Sequence, residues 1–176
     1  DRGVCADQKF VYQPAASKCS GFLVATKLIV TAGHCVYNQK ICDENYWVFD
    51  YTVTHTKQEK VYLPKSSVYR CKKILQQINN SDTMLDFALI ELDREVLDRK
   101  PLKYRTQGRI KEQTPLVLIG YPSGLPVKIA DQAKVRSVND VYMVTNLDSF
   151  GGNSGAAVFN ASTLEVEGIL VRGDRD

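Results

Sequence analysis

The chain has 176 residues, of which 44% are hydrophobic, and this is enough apolar material for one sizeable core or two small ones. Its 23 basic and 20 acidic side chains are mixed along the sequence and give a net charge of +3. This charge pattern predicts no nucleic-acid partner, and no apolar run approaches the roughly 18 residues of a membrane helix. The composition therefore excludes a disordered tail and predicts neither nucleic acid nor a membrane as a partner.

The hydrophobic pattern favours β-strands throughout the chain. Apolar residues alternate with polar ones or form short runs rich in β-branched and aromatic side chains, and Gly, Pro, Asn and Asp separate these runs. Many short strands at such spacing indicate an all-β fold built from barrels or a sandwich. The predicted strands cover residues 21–25, 27–32, 46–53, 67–75, 87–92, 115–121, 133–138, 141–147, 156–159 and 165–171.

The chain divides best into two halves. The polar stretch at 93–108 is the strongest candidate for a boundary, and no repeat, low-complexity tract or long linker is found elsewhere. We therefore predict an N-terminal unit of residues 1–105 and a C-terminal unit of residues 106–176.

The cysteines indicate an oxidising compartment. All five lie in the first 71 residues, and none has the CxxC spacing of a zinc site or a redox motif. Disulfides are the favoured use and reduced, buried thiols the alternative, so we expect a secreted or periplasmic protein. Because five is odd, one thiol is left free or pairs with something outside this chain.

Three glycines surround a lone serine in the segment FGGNSGAAVF, residues 150–159. Glycine tolerates backbone angles that side chains forbid and lets another backbone approach closely, so the segment predicts a tight turn that displays Ser154. By itself such a motif is more typical of an ordinary surface turn that enters a strand.

Two other residues offer what a nucleophilic serine requires. His34, in TAGHCV, follows an apolar strand, and imidazole has a pKa suited to taking a serine proton. Asp86, in MLDFALIEL, stands at the mouth of an apolar strand, where a carboxylate could fix the imidazole tautomer. Taken singly, His34 is more typical of a core histidine and Asp86 of a solvated strand end.

Together, TAGHC, DFALI and GGNSG resemble the three active-site motifs of the chymotrypsin-like serine peptidases, in the same order along the chain. The resemblance extends over nearly the whole chain and implies two antiparallel β-barrels of the six-stranded type. Residues 1–105 would form the first barrel, with His34 and Asp86, and residues 106–176 the second, with Ser154 and the specificity pocket. GGNSG and GYPSG are closest in style to bacterial glutamyl endopeptidases and HtrA-type protease domains.

The resemblance implies a catalytic triad. Ser154 would attack the peptide carbonyl, His34 would transfer its proton and Asp86 would orient His34. The backbone N–H groups of Gly152 and Ser154 would form the oxyanion hole. The expected protein is a secreted, monomeric endopeptidase that forms an acyl-enzyme on protein or peptide substrates, with protein inhibitors as further partners and no cofactor or metal.

Substrate preference is expected from four residues of the second barrel. Asp148, six residues before the serine, and Ser149 stand where the family has the floor of its specificity pocket, and Val171 and Gly173 stand at the far wall. A buried carboxylate there would select Arg or Lys, whereas the alternative is an Asp that caps its own loop.

Two neighbouring residues bear on the same preference. Leu170 replaces the histidine on which glutamyl peptidases rely, which argues against glutamate specificity. Arg172 could contact Asp148 or an acidic group of the substrate.

The cysteine spacing also fits the resemblance. The resemblance implies a Cys19–Cys35 disulfide that braces the histidine. A Cys42–Cys71 disulfide would tie strands of the first barrel and leave Cys5 without a partner in this chain. The pairing of these last three cysteines stays open.

The chain departs from the family pattern in two places, and the second of them supports a rival function. Asn153 replaces the aspartate that pairs with a new amino terminus in animal trypsins, so activation by that route is not expected. Family members usually continue beyond residue 176, so the second barrel is expected to be incomplete at its C-terminus. The alternatives are a catalytically idle binding module on the same scaffold and a peptidase of another specificity.

Overall fold

The structure is a computed structural model that describes residue 7, residues 9–55 and residues 57–173. The described residues form ten strands and one short α-helix, and all ten predicted strands are present. The strands are β1 (Phe22–Ala25), β2 (Leu28–Thr31), β3 (Tyr46–Val48), β4 (Val68–Asn80), β5 (Leu85–Leu92), β6 (Pro115–Gly120), β7 (Lys128–Val138), β8 (Met143–Thr145), β9 (Ala157–Asn160) and β10 (Val166–Ile169), and the helix is α1 (Gln39–Glu44).

The strands form two antiparallel sheets of five strands each. The order is β1-β2-β5-β4-β3 in the first sheet and β10-β9-β6-β7-β8 in the second. Register shifts in β4, β6 and β7 mark bulges, which bend and twist strands as a curved sheet requires. The predicted all-β architecture is therefore confirmed, with five strands rather than six described in each sheet; the boundary at residues 105 and 106 stays a prediction.

Each sheet has its own core, and a third cluster joins the two. The third cluster packs Phe22 of β1 against Ala157 and Phe159 of β9 and Val166 of β10. Burial of large apolar side chains is the main favourable term in folding, so this contact holds the first sheet against the second. The buried cores of the separate sheets include Leu23, Ile29, Ile90 and Leu92 in the first and Leu116, Leu118, Val135 and Val158 in the second.

Two disulfides close loops of the N-terminal half. Cys19 is bonded to Cys35, as the resemblance to the peptidases implied, and Cys42 is bonded to Cys71, a pairing that the sequence left open. Cys42 lies on α1 and Cys71 on β4, so the second bond fastens the helix to the first sheet. Cys5 lies outside the described residues.

The lengths of several strands differ from the prediction for local reasons. The strand predicted over 46–53 ends at Val48, because Asp50 has a φ of +61°, which interrupts an extended strand. The strands predicted over 67–75 and 133–138 are longer, since β4 runs on through the polar residues 76–80 and β7 begins at Lys128. The unpredicted α1 is capped by Asn38, whose side chain accepts from the Ile41 N–H.

None of the helices in the described part of the chain is long and apolar enough to cross a membrane.

An ion pair ties the second sheet to the chain that connects the two halves. Arg105 donates from Nε to Glu167 Oε2 over 2.6 Å and from Nη2 to Oε1 over 2.8 Å, and Asn160 Nδ2 donates to the same Oε1 over 2.9 Å. The Glu167 side chain is fully buried. These hydrogen bonds, that from Arg105 above all, lower the pKa of Glu167 below its ordinary value of 4.5.

We expect Glu167→Gln to lower the free energy of unfolding by about 2 kcal/mol at pH 7, because it removes the charged acceptor of the hydrogen bonds from Arg105 and Asn160. Since the Glu167 pKa is lowered in the folded state, the stabilisation is present above pH 4.5 and is lost as the pH falls through the lowered pKa. Urea unfolding at pH 7 and pH 3 measures the difference, with the exposed Glu112→Gln as control. A loss that is equal at both pH values would contradict the expectation.

Candidate active site

Strand pairing brings His34 next to Asp86. β2 pairs with β5, Thr31 lying opposite Ala88, and His34 sits in the single 3-10 turn Gly33–Cys35 that follows β2. Asp86 is the second residue of β5. The turn at the end of one strand therefore lies beside the start of its antiparallel neighbour, and this explains why residues 52 positions apart meet.

The carboxylate of Asp86 holds His34 at two points. Asp86 Oδ2 lies 2.7 Å from His34 Nδ1, and Asp86 Oδ1 accepts from the His34 backbone N–H over 3.0 Å. The Asp86 side chain is 9% exposed, whereas that of His34 is 37% exposed. With Nδ1 donating to the carboxylate, the neutral imidazole presents Nε2 as its acceptor, which is the tautomer that a general base requires.

The serine loop is shaped by glycine and by backbone hydrogen bonds. Gly152 and Gly155, on either side of Ser154, have φ values of +92° and +86°, which other residues rarely adopt. The Ser154 carbonyl accepts from the Ser20 N–H over 2.7 Å, and the Gly155 N–H donates to Leu170 O over 2.7 Å. Ser154 itself is half-buried.

The Cys19–Cys35 disulfide places the serine loop beside the histidine turn. Cys35 follows His34 directly and its Sγ lies 3.8 Å from the Ser154 carbonyl oxygen, while Ser20, which binds the same oxygen, follows Cys19. Among the described residues, no hydrogen bond joins the Ser154 hydroxyl to His34. Catalytic hydrogen bonds are often long before substrate binds, so the two side chains remain candidates for nucleophile and base.

Two backbone N–H groups of the serine loop have no acceptor in the part of the chain that the structure describes. Within residues 9–55 and 57–173, neither the Gly152 N–H nor the Ser154 N–H donates to a protein acceptor. Unpaired donors next to a candidate nucleophile are what a developing oxyanion would need.

The sequence profile of the trypsin-like peptidase domain matches residues 19–169. The chain belongs to this family. It is accordingly a serine endopeptidase, and peptide bonds of proteins or peptides are the substrates that the family implies.

Solved structures of serine proteases share the fold of this peptidase. A glutamyl endopeptidase in complex with MPD is 21% identical, with a TM-score of 0.59 over 90% of this chain and 75% of that one. Rv3671c of M. tuberculosis is 17% identical, with a TM-score of 0.56 for the active form and 0.54 for an inactive serine-to-alanine form. These matches cover 88% and 85% of this chain and 62% and 68% of the others. At these identities the likeness concerns the fold alone.

The residues expected to set substrate preference are more exposed than the sequence suggested. Asp148 is exposed and makes no hydrogen bond or ion pair within the described part of the chain, so its side chain is neither buried nor a loop cap. Ser149 is half-buried, and its Oγ accepts from Asn153 Nδ2 over 2.9 Å. Val171 is half-buried and Gly173 is exposed.

Arg172 does not contact Asp148. Its guanidinium donates from Nη2 to Met84 O over 2.8 Å, two residues before Asp86. The side chain therefore reaches from the segment after β10 to the start of β5, and it is exposed to solvent.

Sequence reasoning missed the two buried hydroxyl residues that connect the halves of the site. Ser20 is 2% exposed and Thr31 is fully buried, and Thr31 Oγ1 donates to Ser20 O over 2.7 Å. The available signal was a hydroxyl residue inside an apolar strand or next to a bridged cysteine, since buried polar groups need partners.

The peptidase also brings Cys19, His34 and Cys35 together, with one potential ligand atom of each within 4.8 Å of the others. The two sulfurs are joined in a disulfide and offer no thiolate, so this group is not a metal site as it stands.

We expect Gly155→Ala to destabilise the peptidase by at least about 2 kcal/mol. A Cβ at this position would lie 2.2 Å from Ser20 O and 2.3 Å from Thr31 Oγ1, on a backbone with positive φ. Gly151→Ala is the matched control in the same loop, because its Cβ would meet nothing within 4 Å. Thermal and urea unfolding compare the two variants, and equal stabilities would refute the close approach.

Proposed function

We propose that Ser154, His34 and Asp86 are the catalytic triad of a secreted peptidase that cleaves after Arg or Lys. The observation that carries the proposal is the double contact of Asp86, at the start of β5, with His34, in the turn after β2 and next to the serine loop. Neither a solvated carboxylate at a strand end nor an isolated core histidine requires two contacts of this kind. The match to the trypsin-like peptidase domain favours acyl transfer as the reaction of these three side chains.

The chemistry proceeds in two transfers. His34 Nε2 takes the Ser154 proton as Oγ attacks the scissile carbonyl, and the protonated imidazole then gives that proton to the leaving amine. Water repeats the sequence on the acyl-enzyme and releases the acid. Throughout, Asp86 stabilises the imidazolium, and the N–H groups of Gly152 and Ser154 bind the oxyanion.

The preference for Arg or Lys rests on Asp148. An exposed carboxylate with no partner among the described residues is available to a substrate guanidinium or ammonium, and a substrate seated over it would reduce its contact with water. Arg172 favours a second candidate, recognition of an acidic group of the substrate, because its guanidinium is exposed and is bound to Met84 O, two residues before Asp86 in the chain.

The proposed location outside the cytoplasm is supported by the two disulfides. Cys19–Cys35 and Cys42–Cys71 would be stable in an oxidising compartment such as a periplasm or the extracellular space.

Labelling with a fluorophosphonate tests the triad. We expect the probe to modify Ser154 in the unaltered chain, not to react in Ser154→Ala, and to react at least a hundredfold more slowly in His34→Ala, because the base is missing. Peptide mass analysis locates the adduct. Modification of another residue, or labelling that is unchanged in His34→Ala, would refute the assignment.

Peptide substrates test the preference. With Arg, Lys, Glu or Phe before the scissile bond, we expect the Arg and Lys peptides to have the highest kcat/KM and Asp148→Asn to lower it about tenfold or more for these two alone. Asp131→Asn, which removes an exposed carboxylate of β7, is the control. A Glu peptide that is cleaved best, and that loses this advantage in Arg172→Gln, would favour acidic recognition instead.

A further inference from the structure

We propose that the loop Pro122–Gly124 is a positioning element for the oxyanion hole, and that the N-terminal segment of residues 14–17 holds this loop in place. The proposal rests on the proposed function of Gly152 as an oxyanion donor. It assigns a role in catalysis to residues that lie outside the triad, part of them in the GYPSG segment, for which the sequence indicated no role.

The first contact fixes the peptide unit that carries the Gly152 N–H. The Ser123 N–H donates to Gly151 O over 2.5 Å, and no other donor within residues 9–55 and 57–173 reaches this oxygen. In a planar trans peptide, the carbonyl of Gly151 and the N–H of Gly152 point in opposite directions. Anchoring the Gly151 oxygen therefore sets the direction in which the Gly152 N–H points.

The second contact is steric. A Cβ added at Gly152 would lie 2.9 Å from Ser123 N and 3.2 Å from Gly124 N, so the two backbones touch. The Ser20 hydroxyl accepts from the Tyr121 N–H over 3.1 Å and donates to Gly152 O over 3.4 Å. The Gly151 carbonyl is thus bound to the loop Pro122–Gly124 itself. The Gly152 carbonyl is bound to Ser20, which also binds the residue directly before this loop.

The N-terminal segment supports the loop from its other side. Gly124 O accepts from the Ala16 N–H over 2.9 Å and from the Ser17 N–H over 3.4 Å. A Cβ at Gly124 would lie 2.4 Å from Ser17 O, so the segment and the loop are packed backbone to backbone.

Tyr51 anchors the segment and the loop together. Its hydroxyl donates to Pro14 O, its ring stacks on Tyr121 with centroids 6.1 Å apart, and its carbonyl accepts from the Val127 N–H over 2.9 Å. Burial raises the pKa of the Tyr51 phenol, so the phenol keeps the proton that it donates at neutral pH. A continuous series of contacts therefore leads from Tyr51 through residues 14–17 and the loop to Gly152.

The loop itself is held in an unfavourable conformation. Ser123 has a φ of +54°, in the left-handed region that residues with side chains seldom occupy. Such backbone persists where surrounding contacts over-determine it, and it is concentrated at functional sites. The strained residue here is the one whose N–H binds Gly151.

Gly124→Ala and Gly108→Ala test the proposal as a matched pair. Both glycines have positive φ, +77° and +68°, but a Cβ at Gly108 meets nothing within 4 Å. We expect kcat of Gly124→Ala, per active site titrated with the fluorophosphonate, to fall about tenfold or more with KM changed less than threefold, because one oxyanion donor is misplaced. Gly108→Ala retains the kcat of the unaltered chain.

The Gly152 amide resonance in a 1H–15N spectrum is the second measurement, and it does not depend on catalysis. We expect this resonance to move in Gly124→Ala and to stay in place in Gly108→Ala. The proposal would be overturned if the Gly152 resonance stayed in place in both variants. It would also be overturned if the loss of activity in Gly124→Ala disappeared once kcat was expressed per titrated active site. Failure of the unaltered chain to label at Ser154 would refute the triad instead, and the resonance would still decide the role of the loop.

Tyr51→Phe keeps the experiment decisive if Gly124→Ala does not fold. It removes the donor to Pro14 O and retains the ring that stacks on Tyr121, so we expect a smaller fall in kcat, about threefold, with the same displacement of the Gly152 resonance. Tyr62→Phe, on a side chain that is 85% exposed, is its control. An unchanged Gly152 resonance in folded Tyr51→Phe would overturn the role of residues 14–17.

Discussion

The backbone of Ser20 is the constraint on which the site depends, because it is where the histidine half and the serine half are held together. Its N–H donates to Ser154 O and its carbonyl accepts from Thr31 at the end of β2. Cys19, the residue before it, is bonded to Cys35 in the histidine turn. A single dipeptide therefore relates the position of the proposed nucleophile to that of the proposed base, although the two side chains lie 120 residues apart in the sequence.

Burial gives this connection its rigidity. Ser20 is 2% exposed and Thr31 is fully buried, so each hydrogen bond that they make replaces one that water could no longer provide. Breaking such a bond leaves an unsatisfied group in an apolar interior, which costs more than the bond contributes on average. Donors that are fixed before substrate arrives need not reorganise during the reaction, and that is the property an oxyanion hole requires. The buried hydrogen bonds of Ser20 and Thr31 thus stabilise the contact between the two halves of the site and also fix the geometry of the proposed catalytic groups.

The sequence predicted the strands and the residue types of the site well, since both leave a local signal. Alternation located ten strands, but it could not show that β4 continues to Asn80, because much of that part is exposed and polar. The expected burial of Asp148 was wrong, as a motif position carries no information on how a loop packs. The bonds of Ser20 and Ser123 to the serine loop were not predictable, because backbone N–H groups belong to every residue except proline.

The two halves of the site are consequently held by different means. His34 is positioned by side chains, namely a carboxylate on β5 and a disulfide, and substitution of those residues changes chemistry as well as shape. The serine loop is positioned mostly by backbone groups and by glycines that permit close approach, to which the Ser20 hydroxyl and the Asn153 amide add side-chain hydrogen bonds. Its geometry therefore depends on backbone conformation more than that of the histidine turn does. A substitution far from the serine loop can alter the geometry of this loop by displacing a backbone segment that contacts it. Loops such as Pro122–Gly124 therefore tune the proposed oxyanion hole without contributing an atom to the reaction.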